Sequence, residues 1–531
     1  MRRALLCCAL ISLTAGACSS ASASPGHNQG PNNQGPVPTA AASMAPAYPQ
    51  TSAYPWATAQ QNPYPWPTAQ QAQTPCPPVL FPSTGINPYV DTNADNLSTF
   101  GLDVDTASYT VARGYVARGV WPDASSVRPE EWVNYFDQGY AAPETGAFAI
   151  HTDGGPTPFL SSGEVLMRVG VKARDVSSGR RPSAALTFVI DVSGSMAQDG
   201  RLEMVKQAIA MLVSQLRSDD RVAIVAFTTD ARVVLTSTSG ADQVRILTAL
   251  ASLHPEDTTN AEAGLRFGYQ LERAQYIEGG INRVILATDG VANVGATDAG
   301  TMLSEVGADS SRSGIQLVAV GVGMGNYNDA LLEQLADKGQ GFYAYVDTPD
   351  EARRIFVDRL TTTIDTVALD AKAQVEFDQS AVAGYRLIGY EDRGLPDSSF
   401  RNPNATGGAI GAGHQITALY ALVLRPGESM NDRLATVSLR WTDPGSGRAQ
   451  EIAQDVDRGD LASSFDATDP HFKLDSVVAA TAEVLRNSPW IPGYGIRDLG
   501  VATAELQGQL PETAEVRDFW VMLSQIGNLG R

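Results

Sequence analysis

Ala185-Leu-Thr-Phe-Val-Ile190 runs directly into Asp191-Val-Ser193-Gly-Ser195. The first six residues are almost wholly apolar and rich in β-branched side chains, and a run with no polar face belongs to a strand buried on both sides, as in a parallel sheet. Three more runs share this texture: Arg221-Val-Ala-Ile-Val-Ala-Phe227, Arg283-Val-Ile-Leu-Ala287 and Ile315-Gln-Leu-Val-Ala-Val-Gly-Val322. Between them lie segments of helical period. In Arg201–Arg217 the residues Leu202, Val205, Ile209, Leu212 and Leu216 recur at three- and four-residue steps and form one apolar stripe. Ala261–Ala274, Ala299–Ser311 and Asn328–Asp337 read the same way. Strand–helix alternation from Pro182 to Thr366 predicts a doubly wound α/β domain with a mainly parallel sheet, and a ligand site at the carboxyl ends of its strands.

That edge is where oxygen donors gather. Asp191, Ser193 and Ser195 occupy alternate positions on a loop leaving a strand, so three oxygens can turn toward one point. Thr259, in Asp257-Thr-Thr-Asn260, precedes the helix at Ala261, and Asp289, in Ala287-Thr-Asp-Gly290, follows another strand. Hard cations such as Mg²⁺ favour oxygen ligands in near-octahedral array, and hydroxyls with one or two carboxylates leave positions open for water and a ligand. Asp-x-Ser-x-Ser by itself is weak, since Asp and Ser beside a helix start also serve as caps. The coincidence of all five positions at one predicted sheet edge is specific.

Phe188-Val-Ile-Asp-Val-Ser-Gly-Ser-Met196, the Thr before the third segment and Leu286-Ala-Thr-Asp-Gly290 together resemble the von Willebrand factor type A domain, Rossmann-like in fold, and its metal-ion-dependent adhesion site. The resemblance implies that Ser193, Ser195 and Thr259 supply hydroxyl ligands and that Asp191 and Asp289 bind directly or through water. It further implies one Mg²⁺ or Mn²⁺ per domain, completed by an Asp or Glu carboxylate of a protein partner, and a binding protein rather than an enzyme. Where the family often has Gly-Ser or Gly-Gly before the Thr, this chain has Asp257-Thr258, an added carboxylate. Phe100-Gly-Leu-Asp-Val-Asp-Thr-Ala-Ser-Tyr109 and Trp132-Val-Asn-Tyr-Phe136, with Tyr385–Tyr390 and Gly411–Tyr420, resemble the flanking parts of bacterial von Willebrand-type lipoproteins. The expected division is a small N-terminal flanking domain over 93–181, the type A domain over 182–366 and a β-then-α C-terminal domain over 367–531.

The N-terminus reads as an address. Arg2 and Arg3 precede an uncharged, mostly apolar run to Ala17, the length of a signal core and too short to span a bilayer. Thr14-Ala15-Gly16-Ala17-Cys18 resembles a lipoprotein signal, with residues 1–17 removed and Cys18 lipidated, and Ser19 resembles outer-membrane sorting. Export to a membrane-anchored position, facing the periplasm or the surface, is the expectation. No Asp, Glu, Lys or Arg occurs from Ala4 to Val90, and a Pro-, Gln- and Ala-rich tract holding two Tyr-Pro-Trp units predicts a tether over 18–92. The four cysteines, Cys7, Cys8, Cys18 and Cys76, all precede the globular part, so neither a disulfide framework nor a thiolate metal site holds it.

With 58 acidic and 38 basic residues the chain carries −20, which disfavours nucleic acid as a partner. Enzyme motifs fail on inspection. Asp103-Val-Asp105 has the two aspartates of an aspartate-nucleophile phosphatase, but Ala107 stands where its Thr belongs, and the serines lie in no Gly-x-Ser-x-Gly elbow. The five histidines show no zinc spacing. A scaffold with a stabilising metal is the first alternative to adhesion, and a metal-dependent hydrolase the second.

Overall fold

The computed structural model of the chain describes residues 81 and 85–529, except 103, 178–180, 257–259, 291–297, 306–313, 324–328, 359–364, 427–431, 492 and 507. Cys18 and Thr259 therefore lie outside the described residues, as do the signal and most of the expected tether.

The N-terminal flank comprises β1 (Val90–Asp91), β2 (Leu97–Gly101), α1 (Ala107–Ala117), α2 (Pro129–Asn134), β3 (Phe148–Gly155) and β4 (Glu164–Ala173). Structure begins before residue 93, where the tether was expected to end. The Asn87 amide donates to Leu387 O at 3.2 Å and Gly389 O at 2.8 Å, Val90 pairs with Tyr385, and the Thr92 hydroxyl donates to Val382 O at 2.7 Å. This anchoring uses backbone pairing and neutral side chains, so the lack of charge before Asp91 conceals it.

The central domain follows: β5 (Ala184–Asp191), α3 (Arg201–Val213), β6 (Arg221–Phe227), β7 (Ala231–Ser239), α4 (Gln243–Ala251), α5 (Ala261–Gln275), β8 (Ile281–Thr288), α6 (Ala299–Glu305), β9 (Gln316–Val322), α7 (Asp329–Lys338), β10 (Tyr343–Val346) and α8 (Pro349–Arg353). The six strands form one sheet in the order β10-β9-β8-β5-β6-β7, parallel throughout except for the antiparallel edge β7. Its core lies on both faces. On one, Leu202, Val205, Ile209 and Leu212 of α3 join Leu186, Phe188 and Ile190 in a single buried cluster, as the helical stripe predicts. On the other, α5 lies flush because Gly264 and Gly268 carry no side chain: a Cβ would stand 2.6 Å from the Phe227 ring at the first and 2.3 Å from a Val189 methyl at the second.

The C-terminal part adds β11 (Thr366–Phe377), β12 (Val382–Ile388), β13 (Gly408–Gly411), β14 (Gln415–Leu424), β15 (Arg433–Thr442) and β16 (Ala449–Asp457), then α9 (Pro470–Leu485), α10 (Ile496–Glu505) and α11 (Ala514–Asn528). The flanks that the sequence divides into 93–181 and 367–531 pair strand to strand. One antiparallel sheet runs β1-β12-β14-β4-β3, with Gln415 opposite Lys172 through to Val423 opposite Glu164, and a second runs β13-β11-β15-β16 with β2 also on β11. A common core from Phe100, Val169, Val375, Tyr420 and Leu439 fills the sandwich. Helices α2, α9 and α11 share a further cluster with Leu166, Ile388 and Leu419 of the first sheet. Helix α1 is buried on two sides: Ala107 and Val111 join the core of the central sheet, while Tyr109 and Val116 join Trp132, Phe472 and Phe519.

Inside the central domain Glu272 of α5 is fully buried. Thr187 Oγ1 and Gln275 Nε2 donate to its Oε2 at 2.7 and 2.9 Å, and burial pushes its pKa up to about 8. The unfolded chain ionises this carboxyl near 4.5 while the folded chain keeps its proton. Its contribution is thus fully present below the unfolded pKa and is lost as pH rises toward the folded one, by up to about 1.4 kcal/mol per pH unit. Glu272→Gln preserves the neutral form, so its thermal stability is expected to fall less than that of the wild type between pH 5 and pH 8. Parallel melting curves across that range would show Glu272 ionised in the fold.

Candidate metal centre

The order of the central sheet reverses at β5: the chain continues to β6 on one side and later places β8 on the other. Such a reversal opens a crevice at the carboxyl ends of the strands. With Ile190 opposite Ala287, the next residues, Asp191 and Thr288, stand level at its floor. Asp191 is fully buried; its Oδ1 accepts from the Ser193 N–H at 2.8 Å and its Oδ2 from the Thr288 hydroxyl at 2.7 Å. Ser193 and Ser195 bring their hydroxyl oxygens to 3.1 Å from each other. Asp289, also fully buried, accepts at Oδ2 from Arg201 Nη1 at 2.7 Å, and its Oδ1 has no hydrogen-bond partner among the described residues.

Of the five expected ligands, the structure thus brings Asp191, Ser193, Ser195 and Asp289 to one sheet edge. Thr259 lies outside the described residues, but both ends of its loop are tied to the same edge, with Glu256 N–H donating to Val192 O and Asn260 N–H to Thr228 O, each at 2.6 Å. Asn260 caps α5, its side chain accepting from Ala263 N–H at 3.1 Å. Two participants went unread in the sequence. Thr288 sits within the quoted Ala287-Thr-Asp-Gly290, where nothing local marks it as the hydroxyl that donates to Asp191. Arg201 gives one signal, a charge at the head of the apolar stripe of α3.

Electrostatically the floor is crowded. Burial, and then the neighbouring Asp289 charge, raise the pKa of Asp191 to about 6, against the lowering effect of its bonds from Thr288 and Ser193. Two buried carboxylates and one guanidinium leave a deficit that a cation relieves. The donors suit a hard cation. Adjacent ligands on an octahedral Mg²⁺, each about 2.0–2.1 Å from the ion, stand about 2.9 Å apart, close to the separation of the two serine oxygens. An orphaned, buried carboxylate oxygen is the further acceptor such an ion would satisfy. No group of three or more His, Cys, Asp and Glu side chains that could hold a metal occurs among the described residues; the donors gathered at this edge are two carboxylates and two hydroxyls.

Residues 185–357 match the von Willebrand factor type A domain model, 80–167 the model described as von Willebrand factor, and 362–525 the model described as Uncharacterized protein YfbK, C-terminal. Protein YfbK of Escherichia coli (strain K12) is 35% identical over 451 residues, covering 80% of this chain and 77% of its own. The chain belongs to the YfbK family of von Willebrand factor type A proteins. Synechocystis protein sll0103 is 28% identical over 298 residues, 54% of this chain and 68% of that protein. Among solved structures, the von Willebrand factor type A protein from Catenulispora acidiphila aligns with 62% of this chain and 76% of its own at 18% identity and a TM-score of 0.39. The central domain of this family member is therefore a Rossmann-like von Willebrand A domain, a type that generally mediates protein–protein interaction and often depends on a metal.

The two carboxylates are expected to respond oppositely to neutralisation in the presence of a chelator. Asp191→Asn removes one of two like charges, and the Thr288 hydroxyl can turn to accept from the new amide, so this variant should gain roughly 1–2 kcal/mol. Asp289→Asn strands the buried Arg201 and should lose about 3 kcal/mol. Chemical denaturation in EDTA measures both; equal losses would sink the charge-crowding account.

Proposed function

We propose that this YfbK-family chain is an exported, lipid-anchored binding protein whose central domain holds one Mg²⁺ or Mn²⁺ through Asp191, Ser193, Ser195, Thr259 and Asp289. A carboxylate from an Asp or Glu of a protein partner then completes the ion's shell. The observation that carries this reading is the paired hydroxyls 3.1 Å apart at the same sheet edge as a buried carboxylate oxygen that lacks a hydrogen-bond partner among the described residues. Hydroxyl-rich ligation neutralises little of the ion's charge, so a metal held this way stays electrophilic and favours an anionic ligand. The chain's own residues supply the floor: Thr288 fixes one oxygen of Asp191, and the Ser193 N–H fixes the other. No general base is assigned to this site, which is read as one that binds and does not turn over.

Calorimetric titration of the chain from residue 18 onward, carrying Cys18→Ser, with Mg²⁺ and Mn²⁺ tests the metal. Saturable one-to-one binding is expected, abolished by Asp191→Ala; a folded protein that takes up neither ion overturns the reading. The anchor is tested separately in cells. Wild-type protein should fractionate with membranes and incorporate labelled fatty acid, and Cys18→Ser should do neither; unchanged fractionation of an unlabelled wild type would leave ordinary signal cleavage.

A further inference from the structure

The two carboxylates at the floor of the site are treated differently. Asp191 receives only neutral donors, whereas Asp289 receives a guanidinium. Arg201 is 3% exposed, its Nη1 lies 2.7 Å from Asp289 Oδ2 and 3.4 Å from Ser195 O, and its Nε has no hydrogen-bond partner among the described residues. Its Nη2 stands 3.9 Å from the exposed Asp199 carboxylate. The backbone departs from the ordinary to put it there. After the helical turn at Gly194, Gln198 is extended and Asp199 and Gly200 are both left-handed, with φ of 52° and 70°, so α3 starts with Arg201 turned toward the sheet edge. At the end of β9, Gly323 has φ +73°, and a Cβ there would stand 2.1 Å from Arg201 Nε. A consecutive left-handed pair and a glycine cleared of side chain thus accommodate one buried guanidinium. A residue serving only the apolar stripe of α3 needs none of this.

We propose that Arg201 is a positioning residue of the metal site that sets how much charge the ion presents to its partner. Bound through Oδ2 and neutralised, Asp289 offers the ion a single oxygen, directly or through water, rather than a whole second carboxylate. The described residues of the site then carry one net negative charge instead of two, and a divalent ion keeps a positive charge for the incoming carboxylate. Arg201 accordingly trades metal affinity for ligand affinity. This inference rests on the metal-binding reading above.

The test is calorimetry on the Cys18→Ser chain, first with Mg²⁺ and then with acetate titrated into the Mg²⁺-loaded protein. Arg201→Gln is expected to bind Mg²⁺ at least about tenfold more tightly, from the loss of one nearby positive charge, and acetate more weakly; Arg201→Lys should stay near the wild type in both. Gly323→Ala, which crowds the guanidinium off Asp289, should shift both affinities in the same directions and covers the case in which Arg201→Gln does not fold. If the wild type binds Mg²⁺ and a cooperatively melting Arg201→Gln binds it equally or less tightly, Arg201 is structural and this inference falls alone. If the wild type binds no Mg²⁺, the metal-binding reading falls and takes this inference with it.

Discussion

The register that sets Ile190 against Ala287 across two parallel strands brings Asp191 level with Thr288 and leaves Asp289 one residue beyond, both carboxylates buried at a dry sheet edge. Parallel strands buried on both faces offer no solvent beneath that edge, so the like charges are held together in a medium that screens them poorly. Three remedies exist for such a pair: protonation, a cation from the chain, or a cation from outside. The fold supplies the second, and brings the first within reach only below neutral pH. Asp191 is pushed up to about 6, into the range where it begins to hold a proton, and Arg201 supplies the second remedy to Asp289. An external divalent ion is the remedy left open, and the serine hydroxyls are grouped as such an ion requires.

How far this could be read from the sequence depends on whether the information is local. Strands β5, β6, β8 and β9 fall within three residues of their apolar runs because burial on both faces writes itself as a continuous hydrophobic stretch. Asp191, Ser193, Ser195 and Asp289 follow directly from those strand ends. Edge strands were not legible: β7 and β16 alternate weakly and expose much of their length, so no single period marks them. The sandwich was beyond reach for another reason. Its pairings join Lys172 to Gln415 and Gln374 to Thr99, separations at which one sequence carries no record of partnership. Arg201 is the instructive failure within the site, since its inward aim comes from the left-handed Asp199 and Gly200 and from the space at Gly323, three backbone facts that composition does not express.

The same separation of local from distant information explains how the central domain is held by its flanks. Glu333 of α7 is gripped by Arg128 from the N-terminal flank and Arg393 from the C-terminal part, each at 3.1 Å. Arg113 of α1 clasps Asp347 at 2.6 Å and Glu351 at 3.1 Å, and Glu351 also accepts from Tyr135 at 2.9 Å and pairs with Arg354, whose guanidinium lies 4.1 Å from the Tyr135 ring centre. Most of these groups are buried, and buried ion pairs gain little net stability over apolar packing of the same volume. What they contribute is direction. An apolar contact between a helix and a sheet tolerates sliding, whereas a carboxylate shared by arginines from two distant segments has few satisfactory geometries. Loss of any one member leaves its partners charged and dry, so the contacts act as a set. Helix α1 supplies the apolar part of the attachment, with Ala107 and Val111 on the central sheet and Tyr109 on the helices of the sandwich, while the arginines fix its register. The flanks thus hold the central domain by the segments that follow β9 and β10 and by the face carrying α1. Among the described contacts, the edge formed by Asp191, Ser193, Ser195 and Asp289 takes no part in that clamp apart from the loose pairing of Arg118 with Asp199 at 3.5 Å. Attachment and candidate binding site are therefore built on different strands of the same sheet, the clamp on the segments after β9 and β10 and the site on the ends of β5 and β8.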